Sequence, residues 1–302
     1  MKINNKISVI IPTFNAGGDL AFLLQSIFTQ TMLPEEVIVV DSSSTDNTLD
    51  IAQSFAGTRI VKIDKSEFDH GRTRDTVLRQ SAGDIVIFIT QDALPVNNEL
   101  ILRLVAPLSD KSIAVVYARQ IPKASAIRME KLVRAFNYPE QSILKSKADI
   151  PKMGIKTFFS SNVCAAYNRE IYLTLGGFDY PLTTNEDMFY AAKAIQNGYK
   201  IAYTADAQIF HSHNLTLIEQ YRRNYLIGYE IEKHIKLLGG VKKEKEGIKL
   251  VKYVSKELLK HGNILSLLHF FCDCCARLLG SRLGRMAFYN EQKTSFNSNG
   301  NI

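Results

Sequence analysis

Only four cysteines occur in 302 residues: Cys164, Cys272, Cys274 and Cys275. That is too few for a disulfide framework in a chain this long, and it fits a reducing cytoplasm. The C-x-C-C spacing of the last three is not a zinc pattern, so they read as small apolar residues. No apolar run reaches the roughly 20 residues needed to span a bilayer. The opening Met1-Lys2-Ile3-Asn4-Asn5-Lys6 leads into a short apolar run with no small-residue cleavage site, so no secretory leader is expected. There is no G-x-x-x-x-G-K-[ST], and no G-x-G-x-x-G follows a strand pattern. A phosphate-bearing ligand would therefore need metal and carboxylates to neutralise its charge. Internal repeats are also lacking, and the only low-complexity stretch is the polar end, Thr294 to Ile302.

What is present is ordinary for a globular chain. Hydrophobic residues make up 46% and charged residues 22%, which excludes a disordered chain, a collagen and a coiled coil. The net charge of +7 is unevenly placed. Met1 to Thr216 carries twenty-two basic and twenty-two acidic residues, while Leu217 to Ile302 carries fifteen basic against eight acidic. The whole excess lies in the last third, which suggests a basic surface facing something anionic.

Ile7 to Pro12, Val37 to Asp41, Arg59 to Ile63, Ile85 to Thr90 and Ile113 to Tyr117 read as strands, most of them β-branched runs. Between them, Asp19 to Thr29, Thr45 or Asp46 to Phe55, Thr73 to Ala82 and Asn98 to Leu108 read as helices. This alternation predicts an α/β fold with a mostly parallel sheet flanked by helices. Ligands in such folds bind beyond the carboxyl ends of the strands. Those ends carry Pro12-Thr13-Phe14-Asn15, Asp41-Ser42-Ser43 and Gln91-Asp92. Ala124 to Lys156 is looser. A strand over Phe159 to Tyr167, with a polar start, is followed by helices at Arg169 to Leu175 and Glu186 to Gly198, and by strands at Ile201 to Thr204 and Ala207 to His211. Past Leu217 the pattern is helical, over Leu217 to Leu238 and Ile248 to Met286, and a boundary is expected near residue 216.

Four groups of residues could carry chemistry. Asp92 follows a wholly apolar strand and suits a metal ligand, or else caps the next turn. Glu186-Asp187 opens a helix, where carboxylates are favoured by the helix dipole alone; the functional reading is a general base beside a sugar hydroxyl. His211 and His213 share one face of an extended segment and could look into the same cleft. Arg74, in a charged stretch before a helix, could meet a diphosphate with a bidentate fork.

Together these residues resemble the inverting nucleotide-sugar glycosyltransferases of family 2, with the GT-A fold. The matching pieces are Ser8-Val9-Ile10-Ile11-Pro12-Thr13-Phe14-Asn15, Val39 to Thr48, Gly176-Gly177-Phe178-Asp179, Asn185-Glu186-Asp187 and His211, in family order. Phe68-Asp69-His70-Gly71-Arg72-Thr73-Arg74-Asp75 and Thr90-Gln91-Asp92-Ala93 look like the rhamnosyltransferase branch; Thr90 stands where most family members have the first carboxylate of Asp-x-Asp, and Asp75 where that branch commonly has Asn. The resemblance implies a catalytic domain at 1–216, with a nucleotide-sugar half at 1–120 and an acceptor half at 121–216, before a basic helical region at 217–302. It implies dTDP-L-rhamnose as the nucleotide-sugar donor and a lipid-linked saccharide acceptor, for a cell-surface polysaccharide such as O-antigen or capsule. Pro12, Thr13, Asn15, Asp41, Ser43, Arg74, Gln91 and Asp92 would bind the donor. Asp92 and His211 would hold Mg²⁺ or Mn²⁺, and Asp187 would be the catalytic base.

Two other readings fit the residues: a different nucleotide-sugar donor on the same fold, or a catalytically weak membrane-associated scaffold. Nucleic acid is not expected, because the aromatics of the basic tail do not interleave with its charges as a stacking surface would. The tail instead reads as an anchor on an anionic membrane surface, peripheral at the inner, cytoplasmic face of the cell membrane. Ile264 to Cys272 is intensely apolar but, at nine residues before Asp273, is expected to be too short to span. A helix pair packing on the catalytic domain is the alternative.

Overall fold

The β-branched runs form the centre of one curled sheet in the computed structural model, which describes residues 5–239, 241 and 244–299, with no side chains at 244–245 or 294–299. Met1 to Asn4, Lys242, Lys243, the Lys245 side chain, the side chains from Thr294 to Asn299 and Gly300 to Ile302 thus lie outside the described structure. The strands are β1 (Ile7–Thr13), β2 (Glu36–Asp41), β3 (Thr58–Lys62), β4 (Ile85–Ile89), β5 (Leu94–Pro95), β6 (Ile113–Ile121), β7 (Ile143–Lys145), β8 (Cys164–Asn168) and β9 (Lys200–Phe210). Their order is β3-β2-β1-β4-β8-β6-β9-β5, with β7 also on β9. The first half is parallel: β1 pairs with β2 and β4, and β2 with β3. The second half is mixed, because β8 enters antiparallel between β4 and β6, while β6 and β9 run parallel.

The central strands are covered on both faces. Ile10, Ile38, Val86 and Phe88 point into one core, and Val9, Ile11, Val37 and Ile87 into the other. This is the period-two alternation of a strand. Each such side chain contributes about 1.5–3 kcal/mol on burial. The covering helices are α1 (Gly17–Phe28), α2 (Thr48–Ser54), α3 (His70–Gln80), α4 (Leu100–Val105), α5 (Arg128–Asn137), α6 (Ile150–Met153), α7 (Arg169–Thr174) and α8 (Glu186–Gln196). Three more follow: α9 (Leu217–Lys233), α10 (Glu244–Lys260) and α11 (Ile264–Asn299).

Several boundaries differ from the sequence expectation. The loose stretch after Ala124 contains α5, whose Met129 and Val133 are buried against Val254 and Leu258 of α10 and Phe270 of α11. The strand expected from Phe159 begins only at Cys164, because Ser161 and Asn162 are used in hydrogen bonds at the site. The two strands expected around Thr204 are one, β9, which absorbs a register irregularity against Ala118 and Arg119.

The tail is fastened to the rest of the chain. Thr216 and Glu219 form a capping box that starts α9. Ile231 and Leu238 are buried in the main core, and the His234 ring stacks on Phe189 at 4.3 Å. Helix α11 runs beside α9 in the same direction. A Cβ on Gly228 would collide with the Ser281 backbone, and one on Gly280 or Gly284 with the backbone of Tyr221 or Tyr225. The expectation that the apolar stretch is too short for a bilayer is corrected here. Asp273 and Arg277 pair at 2.6 Å one turn apart, so they do not end the helix. By length and composition alone, Ile264–Lys293 is long and apolar enough to cross a membrane.

Candidate active site and metal centre

The site lies at the carboxyl ends of β1, β2 and β4 and is closed by segments from the second half of the chain. Asp46 and Thr48 fix its first wall: Asp46 accepts hydrogen bonds from Thr48 and from the Gly17 amide, and the Thr48 hydroxyl accepts one from the Ala16 amide. Asn15, at φ +48°, donates its amide to the Ser44 hydroxyl and accepts from the Thr45 amide, latching the two loops together. Asp41 is 1% exposed. Its carboxylate accepts from the Thr13 hydroxyl and from the Ser44 hydroxyl and amide, so it ties β1 to β2 from beneath. Ser43, at φ +63°, donates to the Ile63 carbonyl. Gln91 clamps the Phe14 backbone from both sides, accepting from its amide at 2.8 Å and donating to its carbonyl at 3.1 Å.

These loops border a cleft of about 360 Å³ whose wall includes Pro12, Thr13, Ser42, Arg74, Thr90 and Gln91. Asp41 itself is not on that wall. Arg74 is, but its guanidinium already meets Glu186 at 3.3 Å and His70 Nδ1 at 3.2 Å. The charged stretch before α3 has a structural task as well. Asp69 caps α3 and accepts from the Leu182 amide, while a Cβ on Gly71 would lie 2.7 Å from the Asp179 carbonyl. Gly177, at φ +77°, sits where a Cβ would collide with Asp75. Gly71 and Gly177 are thus required for α3 to sit against the loop that leads into α8.

Asp92 follows β4 and precedes β5, and β5 pairs with the end of β9. That pairing brings two histidines to it. His211 Nε2 is 3.3 Å and His213 Nε2 3.2 Å from Asp92 Oδ2. The three donor atoms lie within 4.8 Å of one another, and His211 is buried. His211 Nδ1 is 3.0 Å from Gln120 Oε1. That contact leaves Nε2 free to ligate. Burial alone would raise Asp92, but the hydrogen bond and charge of His211 and the charge of His213 outweigh it, and the carboxyl lies well below its ordinary range. Burial and then His211 lower His213, favouring the neutral imidazole a metal needs. One carboxylate and two imidazoles form a donor set that fits a divalent metal ion. Thr90 leaves no carboxylate two residues before Asp92, and His213 could supply a third ligand from the end of β9.

The acidic pair at the start of α8 is split by its surroundings. For Glu186, burial is outweighed by Arg74, His70 and the Asn162 amide group, so it stays ionised. For Asp187, burial and the neighbouring Glu186 charge raise the pKa to about 7. Its Oδ2 accepts from the Asn162 amide at 3.0 Å and its Oδ1 from the Met188 amide at 2.7 Å. Pairs of carboxyl groups driven apart in this way mark acid–base work. Residues 161–163 connect Asp187 to the Asp92–His211–His213 cluster: Asn162 holds Asp187, Val163 accepts from the Thr90 amide, and Ser161 accepts from Gln120. Sequence reasoning missed Asn162 and Gln120. The only signal was polarity at the start or end of an otherwise apolar strand.

Residues 8–176 match glycosyl transferase family 2. The chain is 41% identical to the O-antigen chain rhamnosyltransferase RfbN of Salmonella typhimurium, over 93% of this chain and 90% of that protein. It is 38% identical to the O-antigen chain rhamnosyltransferase WbaN of Salmonella anatum, over 92% and 89%. Among solved structures, the mannosyltransferase PcManGT from Pyrobaculum calidifontis, in complex with GDP-Man and Mn²⁺, superposes with a TM-score of 0.65. It is 19% identical and covers 93% of this chain and 87% of that one, a likeness of fold.

Proposed function

Because the chain belongs to glycosyl transferase family 2, we propose that it transfers L-rhamnose from dTDP-L-rhamnose, with inversion, to a lipid-linked saccharide acceptor in the building of a cell-surface polysaccharide such as an O-antigen chain. The names of the two Salmonella relatives support the sugar and the pathway. The observation that carries the chemistry is the joining of Asp187 to the Asp92–His211–His213 cluster through residues 161–163.

In this reading the cleft along Pro12, Thr13, Ser42 and Gln91 receives the nucleotide, with Asp41, Asn15 and Ser43 holding its walls in place. Arg74 presents positive charge on the same wall and keeps Glu186 ionised. Asp187 accepts the proton of an acceptor hydroxyl as that oxygen bonds to the anomeric carbon, on the face opposite the departing nucleotide diphosphate. A divalent ion on Asp92, His211 and His213 would neutralise charge on the leaving diphosphate. Two imidazoles beside one carboxylate suit Mn²⁺ better than Mg²⁺, which prefers an all-oxygen shell.

The tail supports work at a membrane surface, and the O-antigen chain relatives support placing it on the cytoplasmic side. Leu265, Leu268, Phe271, Leu279 and Met286 are exposed along α11, and Lys252, Lys256 and Lys260 are exposed along α10. The exposed lysines of α10 beside these apolar side chains favour a helix pair lying in the interface of an anionic membrane. Cutting at Thr216 would unseat Ile231 and Leu238 from the core, so surface substitutions are the better probe. The L265S/L268S/L279S variant should lose sedimentation with anionic vesicles that the parent shows, and equal sedimentation of both would remove the anchor. Function itself is tested with a panel of nucleotide sugars and a lipid-linked acceptor extract, scored by product mass. Rhamnose addition supports the proposal, and transfer of another sugar with none of rhamnose would overturn it.

A further inference from the structure

A second, smaller cavity of about 180 Å³ opens between α5, α9 and α11, half the volume of the nucleotide cleft. Three arginines line it, one from each helix: Arg134, Arg223 and Arg277. Arg134 is spoken for by Glu130 at 2.6 Å and by Gln120, and Arg277 by Asp273 at 2.6 Å. Arg223 makes no hydrogen bond or ion pair among the described residues. Arg223 is exposed on α9, and the Glu130 carboxylate also lines the cavity. Glu130 and Asp273 offset two of the three guanidinium charges, which leaves Arg223 as the one without a protein partner among the described residues, and arginine forks suit phosphate oxygens.

The position of the cavity selects among anions. His213 lines it and also belongs to the metal cluster, so it adjoins the reaction centre. On the other side, Arg277 belongs to α11, whose Leu278 and Leu279 are exposed next to it. A basic pocket of this size, with the reacting centre at one end and exposed apolar side chains at the other, matches the junction between a sugar and a lipid.

We infer that this pocket binds the phosphate ester that joins the acceptor saccharide to its lipid carrier, with Arg223 as the free pairing group and Arg277 beside it. The inference rests on the reading of the protein as a transferase acting on a lipid-linked acceptor. The saccharide then extends past His213 toward Asp187, and the lipid leaves along α11.

The test needs no turnover, so a failure of the catalytic reading would not be mistaken for a failure of this one. Geranyl diphosphate is titrated calorimetrically into the full chain with the donor cleft saturated by dTDP. The parent should bind it, and R223Q should bind it about tenfold or more weakly, the scale of one lost charged hydrogen bond. R223K should recover part of the loss, and dTDP affinity should be the same in all three proteins. Inorganic pyrophosphate should bind more weakly than geranyl diphosphate. No binding by the parent, or no effect of R223Q, would overturn the inference. An equal fall in dTDP affinity would assign the pocket to the donor and overturn it too. Pyrophosphate binding as tight as geranyl diphosphate would remove the lipid from the account.

Discussion

Replacing Asp187 with asparagine keeps the shape of the side chain and removes its ability to take a proton. In the structure each carboxylate oxygen accepts one backbone hydrogen bond, from Asn162 and from Met188. An amide can satisfy only one of the two, and the other donor then turns to water, since Asp187 is not fully buried. The stability cost is therefore at most about 1–3 kcal/mol, the range for one unsatisfied group. Loss of the repulsion from Glu186 works the other way. The effect on turnover is larger. A positioned general base contributes roughly 10²–10⁴-fold, or about 3–5 kcal/mol of barrier. Rhamnosyl transfer should fall by at least about a hundredfold, while dTDP affinity and the melting temperature stay close to those of the parent. The assay pairs product formation with calorimetric titration of dTDP. Turnover within a few-fold of the parent would refute the assignment of the base, and so would a loss of activity fully explained by lost dTDP binding.

Other consequences follow from the same geometry. Asp187 must be ionised to act and its pKa is raised to about 7, so kcat/KM should drop about tenfold per pH unit below that point; a profile flat down to pH 5 would contradict it. Chelator should abolish activity and Mn²⁺ restore it, and H213A should need higher Mn²⁺ by at least the roughly 10–100-fold that outer-shell changes cost. An unchanged Mn²⁺ requirement would take His213 out of the shell. G284L should force α11 away from α9 and lower stability by about 1–3 kcal/mol or more, visible in thermal melts, and an unchanged melt would contradict the close crossing.

The first half of the fold is legible because its strands are short apolar runs that only a doubly covered sheet can hold. The entry of β8 in the opposite direction is not legible, since strand direction is set by pairings between distant segments. The same holds within the site. Asp92, Asp187 and His211 sit at element ends where sequence pattern and resemblance both direct attention. Gln120 and Asn162 act through contacts with His211 and Asp187 that lie 91 and 25 residues away. The placement of His213 lay half in view, as one of two histidines on a shared face, but its meeting with Asp92 depends on the two-residue strand β5, which has no periodicity to read. The glycine pair Gly176-Gly177 was visible as a motif, whereas the reason for Gly177, the approach of Asp75, appears only in three dimensions.

The central claim is direct displacement of dTDP from rhamnose by an acceptor oxygen whose proton passes to Asp187. The measurement that meets it most directly is the anomeric configuration of the newly added sugar, read by NMR on product made from dTDP-L-rhamnose by the purified protein. The account predicts a rhamnosyl linkage of configuration opposite to that of the donor, formed with one dTDP released per sugar added. A product that retains the donor configuration, or dTDP release with no rhamnose transferred, would contradict it.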